Sequence, residues 1–150
     1  MAPGNNIVFQ FYPGHHSVTQ SSFSDPCHPL SANSIYSGFV DSSDGPAAQD
    51  FTVPITSTDP IYIYCGYRSH CQSGMVMAIN PPSSGNTLNA YRSAAAGASG
   101  STNPAQVQGG TLGPPPGSVS PDGSCGGYMS YTCSGSQNGI QPCCSASGFW

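Results

Sequence analysis

Short runs in which apolar residues recur at every second position mark the first two thirds of the chain, as in Ile61-Tyr62-Ile63-Tyr64-Cys65. Alternate side chains of a strand point to opposite faces, so this spacing predicts half-buried β-strands. Because 19 glycines and 15 prolines also disfavour a helical protein, we expect an all-β Greek-key sandwich. Strands are predicted at residues 7–12, 16–20, 35–39, 51–55, 61–65 and 75–79. One short helix is predicted over residues 87–96, with Asn86 as its N-cap.

The chain divides into three segments of different composition. Residues 1–96 contain the alternating runs and form the predicted sandwich domain. Residues 97–121 are rich in Gly, Ser, Ala and Pro, so a flexible linker is predicted there. Residues 122–150 carry four cysteines in a Gly/Ser-rich background, which is typical of a small segment held by disulfides rather than by a packed core.

Charge and cysteine content narrow the classes of function. Only two basic side chains, Arg68 and Arg92, occur in the 150 residues, and the net charge is −4. Such a chain has few cations to neutralise phosphates, so we expect no nucleic-acid partner. Seven cysteines indicate an oxidising compartment. No apolar run reaches transmembrane length. Residues 1–6 show no secretory signal, which conflicts with the oxidising compartment that the cysteines indicate.

The run C-G-Y-R-S-H-C-Q-S-G-M places three metal-binding side chains close together in sequence, namely Cys65, His70 and Met75. One Cys sulfur, two His nitrogens and a weak axial Met are the ligands of mononuclear copper electron-transfer sites. The loop supplies three of these four groups, and His15, His16 or His28 must supply the second imidazole. Strand alternation turns Cys65 and Met75 toward the interior, and it does the same for His16. It also predicts a core position for Met77.

Two other interpretations of these residues remain open. Cys27, Cys65 and Cys71 could all be disulfide cysteines, although an odd number would leave one without a partner inside the domain. Zinc also binds one Cys and two His, whereas a nearby Met favours copper.

The motifs P-G-H-H-S-V, S-S-F-S-D-P-C, Y-C-G-Y-R-S-H-C-Q-S-G-M and A-I-N-P resemble the fungal extracellular cupredoxins, which are related to plant phytocyanins. The resemblance covers about residues 5–92 and implies a blue copper domain that lacks a secretory signal and one N-terminal strand. We therefore expect the chain to be clipped at this end or to come from an incomplete gene model. It implies that His16 is the second imidazole and that a structural disulfide joins Cys27 to Cys71. The copper ligands implied by the resemblance are His16, Cys65, His70 and Met75.

The motifs D-G-S-C-G-G, Y-T-C-S-G-S and C-C-S-A-S-G-F resemble the first half of a hevein-type chitin-binding module. The resemblance implies a disulfide between Cys125 and Cys144, and it implies sugar contacts from Ser145 and Phe149. Ser147 stands where that family has a second aromatic residue, so weak or absent chitin binding is expected.

The function expected from these features is single-electron transfer by a copper protein in the extracellular space or cell wall. No His-x-His pair of the kind used by multicopper oxidases occurs, so we expect a carrier rather than an enzyme. Its redox partner is not indicated by the sequence, and chitin or another wall polysaccharide is a possible attachment partner. The alternative is a non-redox wall or chitin-binding protein whose sandwich domain binds no copper or does not cycle it.

Overall fold

The structure, a computed structural model of the chain, describes residues 1–115. Within these residues the chain forms mostly short strands and a single helix, which confirms the predicted all-β class. In chain order the elements are β1 (Asn6–Gln10), β2 (Gly14–His16), β3 (Thr19–Ser21), β4 (Val40–Ser42), β5 (Asp50–Pro54), β6 (Ile61–Tyr64), β7 (Val76–Ile79), α1 (Leu88–Ala96) and β8 (Thr111–Gly113).

The strands form three small antiparallel sheets. One sheet has the order β1-β5-β8, a second pairs β2 with β4, and a third has the order β3-β6-β7. Strands that are neighbours in sequence often lie in different sheets, because β1 pairs with β5 and β3 pairs with β6. The two three-stranded sheets share one apolar core, to which β5 contributes Phe51 and Val53 and β6 contributes Ile63.

Strand β6 is buried on both faces, which the alternation of its sequence does not reveal. Ile63 packs in the main core, whereas Tyr62 and Tyr64 face the helix side of the sheet. There the Tyr62 ring lies 4.9 Å from the ring of Tyr91 in α1. The buried hydroxyl of Tyr64 donates to Thr102 O at 2.7 Å, so its burial leaves no unpaired donor.

The helix begins one residue later than predicted. Thr87, rather than Asn86, is the N-cap, because its extended backbone lets its hydroxyl accept a hydrogen bond from Ala90 N at 3.2 Å. The helix ends at Ala96 as predicted, and Gly97 follows as the C-cap.

Two predicted strands differ in the structure. The run predicted at residues 16–20 is interrupted at Ser17 and Val18, because their amides point to side-chain acceptors, Cys65 Sγ and Ser37 Oγ, instead of a neighbouring strand. The strand predicted at residues 35–39 is absent apart from isolated bridges at Tyr36, and β4 begins at Val40.

The segment after the helix folds with the domain instead of forming a linker from residue 97. The compact unit extends from Met1 to Gly113. Strand β8 pairs with β5, and Thr102 N donates to Cys27 O at 3.1 Å. Small residues do not prevent this packing, since the contacts use the backbone. The linker predicted over residues 97–121 therefore does not begin before residue 114. The segment predicted over residues 122–150 lies outside the described residues.

No helix within residues 1–115 has the length and apolar character needed to span a bilayer.

Candidate metal centre

Two histidines and one cysteine from different parts of the chain meet at one end of the sandwich. His16 ends β2, Cys65 follows β6, and His70 lies in the loop between β6 and β7. One ligand atom from each residue lies within 4.8 Å of the ligand atoms of the other two. The His16 and His70 rings are 5.2 Å apart. This cluster can hold one metal ion with two nitrogens and one sulfur.

Strand alternation separates His16 from its neighbour His15. His15 faces the other side of β2, where it stacks on Tyr67 with a ring distance of 4.9 Å and pairs with Asp41. His28 lies elsewhere and pairs with Asp25. The sequence left His15, His16 and His28 as candidates for the second imidazole. The structure brings His16 to the cluster.

The ligand loop is a compact turn held by its own backbone. His70 N donates to Tyr67 O at 3.0 Å, and Met75 N donates to His70 O at 2.9 Å. Cys65 N then donates to Met75 O at 3.0 Å, which closes the two ends of the loop on each other. Backbone hydrogen bonds therefore fix the spacing of three of the donor residues.

The sulfur of Cys65 is buried and has two polar neighbours. Only 2% of the surface of Cys65 is exposed. His70 Nδ1 lies 3.3 Å from Sγ, and Ser17 N donates to Sγ at 3.4 Å. An N–H group directed at sulfur stabilises negative charge there, and the thiolate is the form that binds metal.

The surroundings of His70 favour its neutral form. Burial lowers the pKa of His70, and the positive charge associated with His16 and Arg68 lowers this pKa further. A neutral imidazole is the form that binds a metal ion. The local electrostatics therefore favour the metal-binding state of this ligand.

Met75 lies beside the cluster but is not buried. Its residue is 43% exposed, and it lines a cavity of about 330 Å³ together with His16 and Cys65. The expected core position of Met77 is wrong, because that residue is 37% exposed on the same cavity. Ile79 reaches the core, whereas Met75 and Met77 line the cavity and stay partly exposed.

A disulfide lies next to the candidate centre. Cys27 and Cys71 are joined with a Cα–Cα distance of 5.8 Å, which is the pairing that the resemblance implies. Cys71 directly follows His70, so the crosslink ties the ligand loop to residue 27. Among residues 1–115 the remaining cysteine, Cys65, is free. The alternative in which Cys27, Cys65 and Cys71 are all disulfide cysteines is therefore wrong. The free thiol, Cys65, lies beside the imidazoles of His16 and His70.

The donor set fits a copper ion. Two imidazoles and a buried thiol converge, and a thioether lines the same cavity. Zinc would accept the first three donors, but a thioether is not among its usual ligands. The structure therefore brings together His16, Cys65 and His70, and it places Met75 at the edge of the cluster.

Sequence reasoning missed two residues near the candidate centre, Ser17 and Asn103. Ser17 N contacts Cys65 Sγ, and Asn103 Nδ2 contacts the backbone of Gly66. Ser17 follows a predicted ligand, so its position was a usable signal. Asn103 lies in a Gly/Ser/Pro-rich run with no comparable signal. Cys125, Cys144, Ser145 and Phe149 lie outside the described residues, so their predicted roles stay predictions.

Two curated proteins from the fungus Arthroderma benhamiae are similar to this chain. One, named "Probable GPI-anchored cupredoxin-1", is 46% identical over 110 residues, which are 73% of this chain and 56% of that protein. The other, named "Extracellular serine-rich protein", is 44% identical over 110 residues, which are 73% of this chain and 43% of that protein. The chain thus spans about half the length of these relatives.

No protein-family model matches the chain, and no solved structure matches it. The sandwich, the donor cluster and the cupredoxin relative together support a cupredoxin-like domain. The candidate metal centre lies at the end of this domain where the loop after β6 meets His16.

Proposed function

We propose that the protein is an extracellular blue copper protein that carries single electrons. The observation that carries this proposal is the convergence of His16, Cys65 and His70, with their ligand atoms within 4.8 Å of one another. Support also comes from a relative named as a cupredoxin. When bound in such a site, copper supplies a one-electron redox couple.

The residues around the donors suit this role because they hold the ligands in one arrangement. The disulfide at Cys71 anchors His70 from the side, and Ser17 N–H orients the sulfur of Cys65. Electron transfer is fastest when little has to move between the two oxidation states, so a rigid ligand frame is what the protein contributes. In this proposal Met75 is the weak fourth ligand that tunes the potential.

We propose His70 as the side through which electrons enter and leave. Its ring meets the ring of Tyr67 at 5.2 Å, and the 45% exposed Phe39 packs on Tyr67 at 5.8 Å. The rings of Tyr67 and Phe39 therefore form an apolar surface next to His70. This apolar surface suits transient contact with a redox partner.

The compartment in this proposal is extracellular, including the cell wall. The Cys27–Cys71 disulfide needs an oxidising environment, and one relative is named an extracellular protein while the other is named as GPI-anchored. We also propose that the protein acts as a carrier and not as an enzyme, since electron transfer asks only for a positioned metal. Attachment to chitin through Ser145 and Phe149 stays a sequence-based expectation.

The test is to add Cu(II) to the full chain and to record its visible spectrum and its voltammogram. We expect one bound copper, an intense thiolate-to-copper band toward the red end of the visible range, and a reversible one-electron wave. His28→Ala, which changes a histidine away from the cluster, is the matched control and should leave both unchanged. Full copper occupancy without colour, or colour without a reversible wave, would instead favour the non-redox alternative.

A further inference from the structure

The segment after α1 brings the side chain of Asn103 against the backbone that follows Cys65. Asn103 Nδ2 donates to Gly66 O at 3.1 Å, and Asn103 Oδ1 accepts from Thr19 Oγ1 at 3.4 Å. The contact with Gly66 spans 37 residues of sequence. One amide group therefore connects the ligand loop with β3.

Gly66 allows this approach because it has no Cβ. A Cβ built on Gly66 would lie 1.8 Å from Asn103 Oδ1, so the Asn103 side chain would have to move away. The φ angle of Gly66 is not in the left-handed region, so close approach is the reason for glycine at this position.

Asn103 completes a closed ring of hydrogen bonds that starts at Gly66 N, passes through Ser17 and Thr19, and returns to Gly66 O. Gly66 N donates to Ser17 Oγ at 2.9 Å, and Ser17 Oγ lies 3.2 Å from Thr19 Oγ1. If Ser17 donates to Thr19, Thr19 can donate to Asn103, and every hydroxyl hydrogen has one acceptor. Ser17 and Thr19 are buried, so the bonds that join Gly66 N, Ser17 and Thr19 are shielded from competing water, whereas the two bonds of Asn103 are partly buried.

One member of this hydrogen-bonded ring, Ser17, also contacts the sulfur of Cys65. Ser17, whose hydroxyl accepts from Gly66, uses its own N–H to contact Cys65 Sγ at 3.4 Å. Any shift of the Gly66 peptide therefore moves both the residue that carries the sulfur and the donor that faces it. Hydrogen bonding around the Cys sulfur is one of the factors that tune the potential of such centres.

We propose that Asn103 is a positioning residue of the candidate copper centre, acting through Gly66 and Ser17 on the Cys65 sulfur. This inference rests on the proposed function. A purely structural role is less well supported, because other contacts already hold the segment in place. Thr102 N donates to Cys27 O, Tyr64 donates to Thr102 O, and Ser101 Oγ bonds with the side chain of Gln72.

The first experiment compares the copper-loaded full chain with Asn103→Ala. A looser peptide weakens the Ser17 N–H contact with the sulfur, so we expect a lower reduction potential and a shifted charge-transfer band. Ser101→Ala is the matched control, because it removes a side-chain contact from the same segment that does not reach the sulfur. An unchanged potential and band in Asn103→Ala, or an equal shift in Ser101→Ala, would overturn the proposal.

A second experiment uses the close contact itself. Gly66→Ala alone should distort the centre, because its new methyl group meets Asn103. Adding Asn103→Ala removes that obstacle, so the double variant should recover part of the band that Gly66→Ala loses. Strictly additive losses in the two variants would show that the side chains do not interact and would contradict the proposal.

A third readout needs no metal and separates this inference from the proposed function. In the apo protein, alkylation of Cys65 is followed by peptide mapping. Loss of one hydrogen bond that restrains the peptide should speed this reaction about fivefold in Asn103→Ala, and not in Ser101→Ala. If the wild type is colourless with copper bound and Asn103→Ala is still alkylated faster than the wild type, the copper function is refuted and Asn103 is retained as a positioning residue. An unchanged alkylation rate would count against the residue's role even if the protein were blue.

Discussion

Cys65 and Cys71 lie in the same short loop and are both buried, yet their sulfur atoms have different chemical environments. The Cys71 sulfur is bonded to Cys27, and both cysteines belong to a buried cluster with Tyr64 and Ala95. The Cys65 sulfur faces His70 Nδ1 and Ser17 N–H instead. Burial alone therefore does not mark a cysteine as a candidate metal ligand. The polar groups next to the sulfur distinguish Cys65, the candidate donor, from the crosslinked Cys71.

Sheet geometry explains why the two cysteines differ. Cys65 continues β6 on the side of Ile63 and lines the cavity with His16. Cys71 packs with Tyr64 on the other side of that strand. The loop between them lets one cysteine reach each face. The sandwich thus keeps the thiol beside the imidazoles apart from the cysteines that cross-link.

The largest expected effect comes from removing the donor sulfur. Cys65→Ser should abolish the charge-transfer band completely, because no other thiolate lies among the clustered donors. The hydroxyl is similar in size, so the fold should persist. Absorption after Cu(II) addition tests the first point, and thermal unfolding of the apo protein tests the second. Retention of the band would show that the copper thiolate is not Cys65.

Removing the Cys27–Cys71 disulfide should lower the stability of the fold but leave the blue colour. The disulfide closes a sequence separation of 44 residues, and the chain-entropy model gives about 4 kcal/mol for a loop of this length. The double variant Cys27→Ser with Cys71→Ser should therefore lose on the order of 4 kcal/mol in the free energy of unfolding. Its folded fraction should still be blue, as denaturant titration and absorption can check. Wild-type stability combined with loss of colour would reverse the two roles.

A smaller effect is expected at the edge of the cluster. Met75→Gln should keep the colour and lower the potential, because an amide oxygen stabilises Cu(II) better than a thioether does. Met77→Gln is a matched control, since Met77 lines the same cavity and is similarly exposed. Voltammetry of both variants measures the difference. Bleaching of Met75→Gln as complete as that expected for His70→Ala would contradict the axial role.

The ligand loop could be predicted from sequence because its donors are close along the chain. Cys65, His70 and Met75 lie within one short run, and local hydrogen bonds set their spacing. His16 needed more information, since its approach depends on the pairing of β2 with β4. Residue alternation alone indicated its direction but not its neighbours.

Contacts across long stretches of sequence were beyond such reasoning. Asn103 reaches Gly66 only because residues 97–113 fold back on the domain, and their Gly/Ser/Pro-rich composition predicted a linker instead. The exposure of Met77 was missed for a related reason. Alternation predicts which face a side chain shares, but burial also needs a layer over that face.

The smallest effect is expected from removing residues 116–150, which include the hevein-type motifs. This segment has the Ser145 and Phe149 of the hevein-type pattern, but Ser147 stands where that family has a second aromatic residue. A sugar ring that stacks on one aromatic gains less than one held by two, so this segment should add little affinity for chitin. The expected result is nearly equal retention on insoluble chitin of the full chain and of a chain ending after residue 115.

This end point keeps β8, which a cut at residue 96 would remove together with its pairing to β5. A difference in retention can then be assigned to the final segment and not to a damaged domain. Blue colour in both proteins after Cu(II) addition would serve as the folding control. Strong retention of the full chain, lost in Phe149→Ala, would contradict the expectation. It would make wall attachment part of the main function.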